Sequence, residues 1–113
     1  MNEIKRQYET LIIFTPVLSD EQIKNSYNEY INYLIDKNTN IIKKEKWGIK
    51  KLAYTIKKKK NGFFYLLQYI TNVSIIHKLN LKMIKDERII RFLTVKMNKF
   101  AIEYYLNFKK KNE

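Results

Sequence analysis

The chain contains no cysteine, one proline (Pro16), one histidine (His77) and two glycines, Gly48 and Gly62. Without cysteine there are no disulfides and no thiolate metal sites, which suits a reducing compartment. The lone histidine has no recognisable nucleophile partner, and neither a Gly-rich phosphate loop nor a histidine–carboxylate metal cluster is present. The chain is therefore expected to be no enzyme and to need no cofactor or metal. Asp86-Glu87, an adjacent carboxylate pair, reads as a helix stop in a solvated turn. Long apolar runs are missing too. None approaches the ~18 residues of a membrane span, and Met1-Asn2-Glu3-Ile4 lacks the basic-then-apolar form of a signal peptide. A cytoplasmic protein with neither membrane nor small-molecule partner is expected. Scarce glycine and proline in a chain that is 45% hydrophobic argue against disorder. Its 113 residues suffice for one core.

Acidic residues are also few, eleven against 23 basic ones, for a formal charge of +12. Lysine outnumbers arginine twenty to three, and asparagine and isoleucine are abundant, as an AT-rich coding sequence would produce. Lysine counts alone are therefore weak evidence, but their placement is not. Residues 1–42 carry −2, whereas residues 43–60 hold nine lysines against Glu45 alone, or +8. A localised positive field implies a polyanion, with nucleic acid ahead of a membrane surface.

That basic stretch lies between apolar, aromatic-rich runs and leads to the tip Lys57-Lys58-Lys59-Lys60-Asn61-Gly62. Asn-Gly tolerates positive φ and predicts the hairpin turn there, with a strand from about Asn40 to Ile56 before it and another over Phe63–Ile70 after it. Trp47-Gly48 in the first of these strands predicts a bulge or bend. Upstream, Tyr8–Phe14 predicts a central strand with Tyr8, Thr10, Ile12 and Phe14 on one face and Glu9, Leu11 and Ile13 on the other. Ser19 and Gln22 form a capping box, and Ile23, Tyr27, Tyr30, Ile31 and Leu34 recur on one helical face. A second helix opens at Asn72 or Ser74 with Ile76, Leu79 and Met83 inward, and Ile89–Val95 is a fourth strand.

The order β-α-β-β-α-β predicts an α+β, ferredoxin-like sandwich, a four-stranded antiparallel sheet with both helices on one face. Residues 1–97 would form this RNA-binding domain. Residues 98–113 would be an extension, with Phe100, Tyr104 and Tyr105 on a short helix before a basic tail. The uncovered sheet face would carry Leu11, Ile13, Ile89, Arg91, Leu93 and Val95, an apolar surface fit for a partner protein or stacked bases. Gly62-Phe63-Phe64-Tyr65-Leu66 loosely echoes the third-strand motif of the RNA-recognition motif, so a standalone single-strand RNA binder is one alternative. A protein-docking module using the open face is another.

One resemblance is closer. Tyr8-Glu9-Thr10 leading to Pro16, Trp47-Gly48-Ile49-Lys50-Lys51-Leu52-Ala53-Tyr54-Thr55-Ile56, the lysine-rich turn, Gly62-Phe63-Phe64-Tyr65, and Ile90-Arg91-Phe92-Leu93-Thr94-Val95-Lys96 follow one family pattern in order and spacing. Together they resemble bacterial small-subunit ribosomal protein six over about residues 6–97. The resemblance implies a structural constituent of the small ribosomal subunit. It also implies binding to small-subunit ribosomal RNA together with small-subunit ribosomal protein eighteen. Carried over by position, Lys5, Arg6, Lys50, Lys51 and Arg91 become RNA or partner contacts. The residues themselves add Lys57, Lys58, Lys59 and Lys60 as phosphate-reaching charges and Arg88 as a bidentate fork. Trp47 and Tyr54 join Leu11, Ile13 and Leu93 as residues expected to meet the protein partner. Thr55 stands where the family usually has proline, which should loosen the end of its strand without altering the topology.

Overall fold

The run of β-branched and aromatic residues near the start forms β1 (Arg6–Phe14), and its alternation decides the layers. In the computed structural model, which describes residues 4–97, β1 is followed by α1 (Asp20–Asp36), β2 (Asn40–Ile56), β3 (Lys59–Thr71), α2 (Val73–Ile84) and β4 (Ile89–Met97). The strands form one antiparallel sheet in the order β2-β3-β1-β4, which makes β1 central as expected. Tyr8, Ile12 and Phe14 share one core with residues of both α1 and α2, so both helices cover the same face. This is the ferredoxin-like sandwich. The extension expected at 98–113 lies outside the described residues.

Local chemistry starts and stops α1. The Ser19 hydroxyl accepts from the Gln22 N–H at 3.2 Å, while the Gln22 side chain accepts from the Ser19 N–H at 2.8 Å. Asp20 and Glu21 occupy the positive end of its dipole. The helix ends where Asn38 turns left-handed (φ 59°), with the Thr39 N–H bonded to the Leu34 carbonyl and the Asn38 N–H to that of Ile35. That is a Schellman stop, for which asparagine is the usual substitute for glycine. Every residue of the expected apolar stripe is buried. On α2, Asn72 and not Ser74 is the cap, its side chain accepting from the Ile75 N–H at 3.1 Å.

The hairpin departs from expectation. Ile56 pairs with Lys59, so the turn is Lys57-Lys58, and Asn61-Gly62 lies inside β3 opposite Lys51 and Lys50. Both turn residues take positive φ, 48° and 65°, which matches the right-handed twist of the flanking strands. Gly62 serves a different purpose. A Cβ there would lie 2.4 Å from Ile13 Cγ2, so close passage of β3 over β1 requires glycine. Lysine is a poor resident of left-handed backbone. Replacing Lys57-Lys58 with Asn-Gly should therefore raise the unfolding free energy by about 1 kcal/mol, read as a higher urea midpoint at unchanged m-value.

Register shifts reshape the sheet, one of them at Ile42, unpaired between the Ile41–Tyr69 and Lys43–Gln68 pairs. Trp47 sits unpaired between the Lys46–Tyr65 and Gly48–Phe64 pairs, and Gly48 takes φ +81°, so the bulge expected at Trp47-Gly48 is present. On β4, Phe14 pairs with Ile89 but Ile13 with Arg91, which leaves Ile90 as an extra residue. That shift corrects one expectation: Ile89 is buried in the helix-side core, and Ile90 takes the place assigned to it on the open face.

Candidate nucleic-acid and partner interface

Cross-strand register arranges the open face in three rows. Lys43, Gln68, Glu9 and Val95 form the first, and Glu45, Leu66, Leu11 and Leu93 the second. In the third, Gly48 beside Trp47 is followed by Phe64, Ile13 and Arg91. Beyond this row the β2–β3 hairpin extends past the end of β1. Four residues of β2, Leu52–Thr55, face only Lys60 between the Lys51–Asn61 and Ile56–Lys59 pairs. Leu52, on the same side as Lys50 by alternation, packs with Ile13 and Ile90 in a small second core flanked by Ile56 and Phe64. The excursion includes Thr55, and β2 nevertheless runs to Ile56.

A cleft of about 380 Å³ opens between this excursion and the sheet, lined by Leu11, Ile13, Leu52, Tyr54, Phe64 and Leu93 among others. Arg91 closes one side. Its guanidinium donates to the Tyr54 hydroxyl at 2.5 Å and lies 6.0 Å from the centre of that ring. Trp47 stacks on Phe64 with ring centres 6.5 Å apart and planes within 10°, and Lys50 approaches its ring at 5.9 Å. Leu93 (59% exposed) and Tyr54 (62%) are open to a partner, whereas Ile13 is already covered by Leu52. The residues expected to meet a protein thus lie on one face, and Leu11, Ile13, Tyr54 and Leu93 line one cleft.

The expected RNA contacts divide into three groups. Lys50, Lys51, Lys57, Lys58, Lys59 and Lys60 follow the hairpin, and Arg91 adjoins it through Tyr54. Lys5 and Arg6 are exposed at the far end of β1. Arg6 and Ile13 are seven residues apart on one strand, or about 24 Å. Arg88 belongs to neither group. Its fork is held by Asp86 at 2.9 and 2.8 Å and by Glu29 at 2.9 and 3.4 Å, which ties the α2–β4 turn to α1. The hydrogen bonds it donates to Asp86 and Glu29 hold the Arg88 guanidinium above its ordinary pKa.

Asp86 is no solvated turn residue. Its side chain is only 10% exposed and also accepts from the Tyr30 hydroxyl at 2.6 Å. Burial raises its pKa, but bonds from Arg88 and Tyr30 outweigh that and hold the carboxyl at about 2. On the open face burial wins, pushing Glu9 above its ordinary value despite a bond from Gln68, with Glu45 adding to the rise and Lys43 opposing it.

Base stacking finds little support. Phe63 and Tyr65, the rings an RNA-recognition motif would offer, are buried beneath the helices at 6% and 4% exposure. Phe64 alone of that trio reaches the open face, and Trp47 lies over it. Sequence reasoning missed Leu52, Ile90, Gln68 and Glu45 as features of this face, and it placed Glu9 there without giving it a role. Alternation along β3, which separates Phe64, Leu66 and Gln68 from Phe63, Tyr65 and Leu67, carried the signal for Gln68.

The model of the family described as ribosomal protein S6 matches residues 7–96, from the start of β1 almost to the end of β4. The chain belongs to the ribosomal protein S6 family. Small ribosomal subunit protein bS6 of Bacteroides thetaiotaomicron is 49% identical over 98 residues, covering 87% of this chain and 86% of that protein. The bS6 protein of Azobacteroides pseudotrichonymphae is 43% identical over 104 residues, covering 92% and 93%. The crystal structure of 30S ribosomal protein S6 from Thermotoga maritima superposes with a TM-score of 0.81 at 23% identity, covering 95% of this chain and 99% of that one. At that identity the superposition speaks for the S6 fold alone. The S6 match spans the hairpin, the bulges and the open face, and Lys5 and Arg6 lie just before its first residue.

Proposed function

We propose that this S6-family protein is a structural constituent of the small ribosomal subunit in the cytoplasm, binding small-subunit ribosomal RNA together with small-subunit ribosomal protein eighteen. The basic hairpin and Arg91 take the RNA, with Lys5 and Arg6 as a second contact about 24 Å away. The cleft and Leu93, with Trp47 beside them, take the protein. Arg88 is left out of the RNA contacts because its donors already meet two carboxylates. No catalytic step is assigned.

The supporting observation is the placement of Arg91, where the cationic end meets the apolar cleft. Phosphate binding there would be read by salt dependence. If about six phosphates are neutralised, log affinity for a central-domain ribosomal RNA fragment should fall with log salt at a slope near −5. A flat dependence would sink the electrostatic part. Co-sedimentation with small subunits tests the assembly itself, and a protein that stays at the top of the gradient would refute it.

A further inference from the structure

We infer that the open face is built to select a basic segment of its protein partner, with an apolar side chain seated in the cleft and a cation held over Glu9. This rests on the proposal that the face docks a protein, and it adds the chemistry of what docks. Three observations lead there. First, the face runs against the charge of the chain: in a protein of +12, its first two rows carry Glu9, Glu45 and Lys43. Second, the charges on these rows are not equally engaged. Glu45 pairs with Lys43 at 2.7 Å and accepts from the Trp47 indole N–H at 2.8 Å. Among the described residues Glu9 accepts only from the neutral Gln68 amide at 3.2 Å, and no cation lies within ion-pair distance of it, Lys43 acting on it from farther off.

Third, Glu9 is half-buried, bordered by Leu11 in its own strand and by Val95 across on β4. Burial raises its carboxyl pKa, so the free protein holds an anion at a site that disfavours it. A cation arriving from outside would find a partly desolvated carboxylate, where pairing is stronger than on an open surface. Phosphate would be repelled at the same place, so RNA is steered to the hairpin and away from the sheet. The spacing also constrains the ligand. Glu9 lies two residues from Leu11 and four from Ile13 along β1, so the cleft begins roughly 7–14 Å away. An extended segment of the form apolar-x-x-cation spans that distance.

The test uses the full chain and purified small-subunit ribosomal protein eighteen, with affinity measured by titration calorimetry. Glu9→Gln keeps the shape and can still bond Gln68, and it should weaken the complex about tenfold while the melting temperature stays level or rises. Glu9→Lys should weaken it about a hundredfold. Glu87→Lys, on an exposed carboxylate in the α2–β4 turn, makes the same change in net charge and should shift affinity by less than about threefold. Glu9 variants that bind like wild type would overturn this inference alone, as would equal losses for Glu9→Lys and Glu87→Lys. No binding by the wild-type protein would sink the docking proposal and this inference together. A photo-crosslinker at Leu11 that captures ribosomal RNA and not the partner would also overturn it.

Discussion

Gly62→Ala should lower the unfolding free energy by about 3 kcal/mol, among the larger losses available to a single methyl group in this fold. The added Cβ would sit 2.4 Å from Ile13 Cγ2 and 3.4 Å from the Phe14 carbonyl oxygen. Neither neighbour yields easily. Ile13 Cγ2 is a β-branch methyl with its rotamer restricted by the backbone, and it already packs against Leu52 and Ile90. The Phe14 carbonyl belongs to the central strand. Chemical denaturation of the purified variant measures the loss. Ile13→Leu moves the branch one carbon outward, so the double variant Gly62→Ala/Ile13→Leu should recover about 1 kcal/mol relative to the sum of the singles. Strict additivity would show that the methyl is accommodated elsewhere. Unchanged stability in the single variant would mean that β3 passes β1 at greater distance than described.

The same glycine shows where the sequence could be read and where it could not. Asn61-Gly62 carries the composition of a tight turn, yet three-dimensional crowding between β3 and β1 is what requires that glycine, and the turn falls on two lysines. Local rules succeeded where the determinants are neighbours in sequence. The Ser19–Gln22 box, the α1 stripe and the Trp47-Gly48 bulge are all of that kind. They failed where a long-range contact decides. Parity along β4 breaks at Ile90 because an extra residue enters opposite Phe14 and Ile13, and nothing within Ile89–Met97 announces it. Leu52 packs on Ile13 and Ile90 across the sheet, contacts that its own strand does not announce.

Function was legible unevenly for related reasons. Exposed charge needs no partner within the chain, so the hairpin lysines could be read from sequence as one basic cluster, and they lie together at one end of the sheet. Arginine is harder to assign, because its fork binds carboxylates of the protein as well as phosphates of a ligand. Arg91 has a tyrosine hydroxyl beside it and remains exposed, whereas Arg88 has Asp86 two residues away and Glu29 fifty-nine residues away. Only the second of these partners was invisible in sequence. Asp86 could have been suspected, since an aspartate two residues before an arginine in a helix–strand turn can accept from both its backbone and its side chain.

That carboxylate is where the second large effect is expected: Asp86→Ala should cost about 3 kcal/mol at neutral pH, with most of the loss disappearing in acid. Asp86 accepts from the Arg88 backbone at 3.0 Å, from its Nε at 2.9 Å and Nη2 at 2.8 Å, and from the buried Tyr30 hydroxyl at 2.6 Å. Removing it leaves the phenol without an acceptor in the core and releases Arg88 from the turn, so the loss exceeds that of one exposed ion pair. The folded state holds this carboxyl at about 2 against an ordinary 3.8, which means the folded protein binds its proton more weakly than the unfolded chain does. Its stabilisation is therefore complete above about pH 4 and fades as pH falls toward 2. Unfolding curves of wild type and Asp86→Ala should run about 3 kcal/mol apart at pH 7 and draw together as pH falls to about 2. Asp86→Asn separates the two contributions: it can still accept from Tyr30 but loses the charge that Arg88 pairs with, so it should fall between them at pH 7. Parallel curves across the whole pH range would show that Asp86 acts through packing and not through its charge.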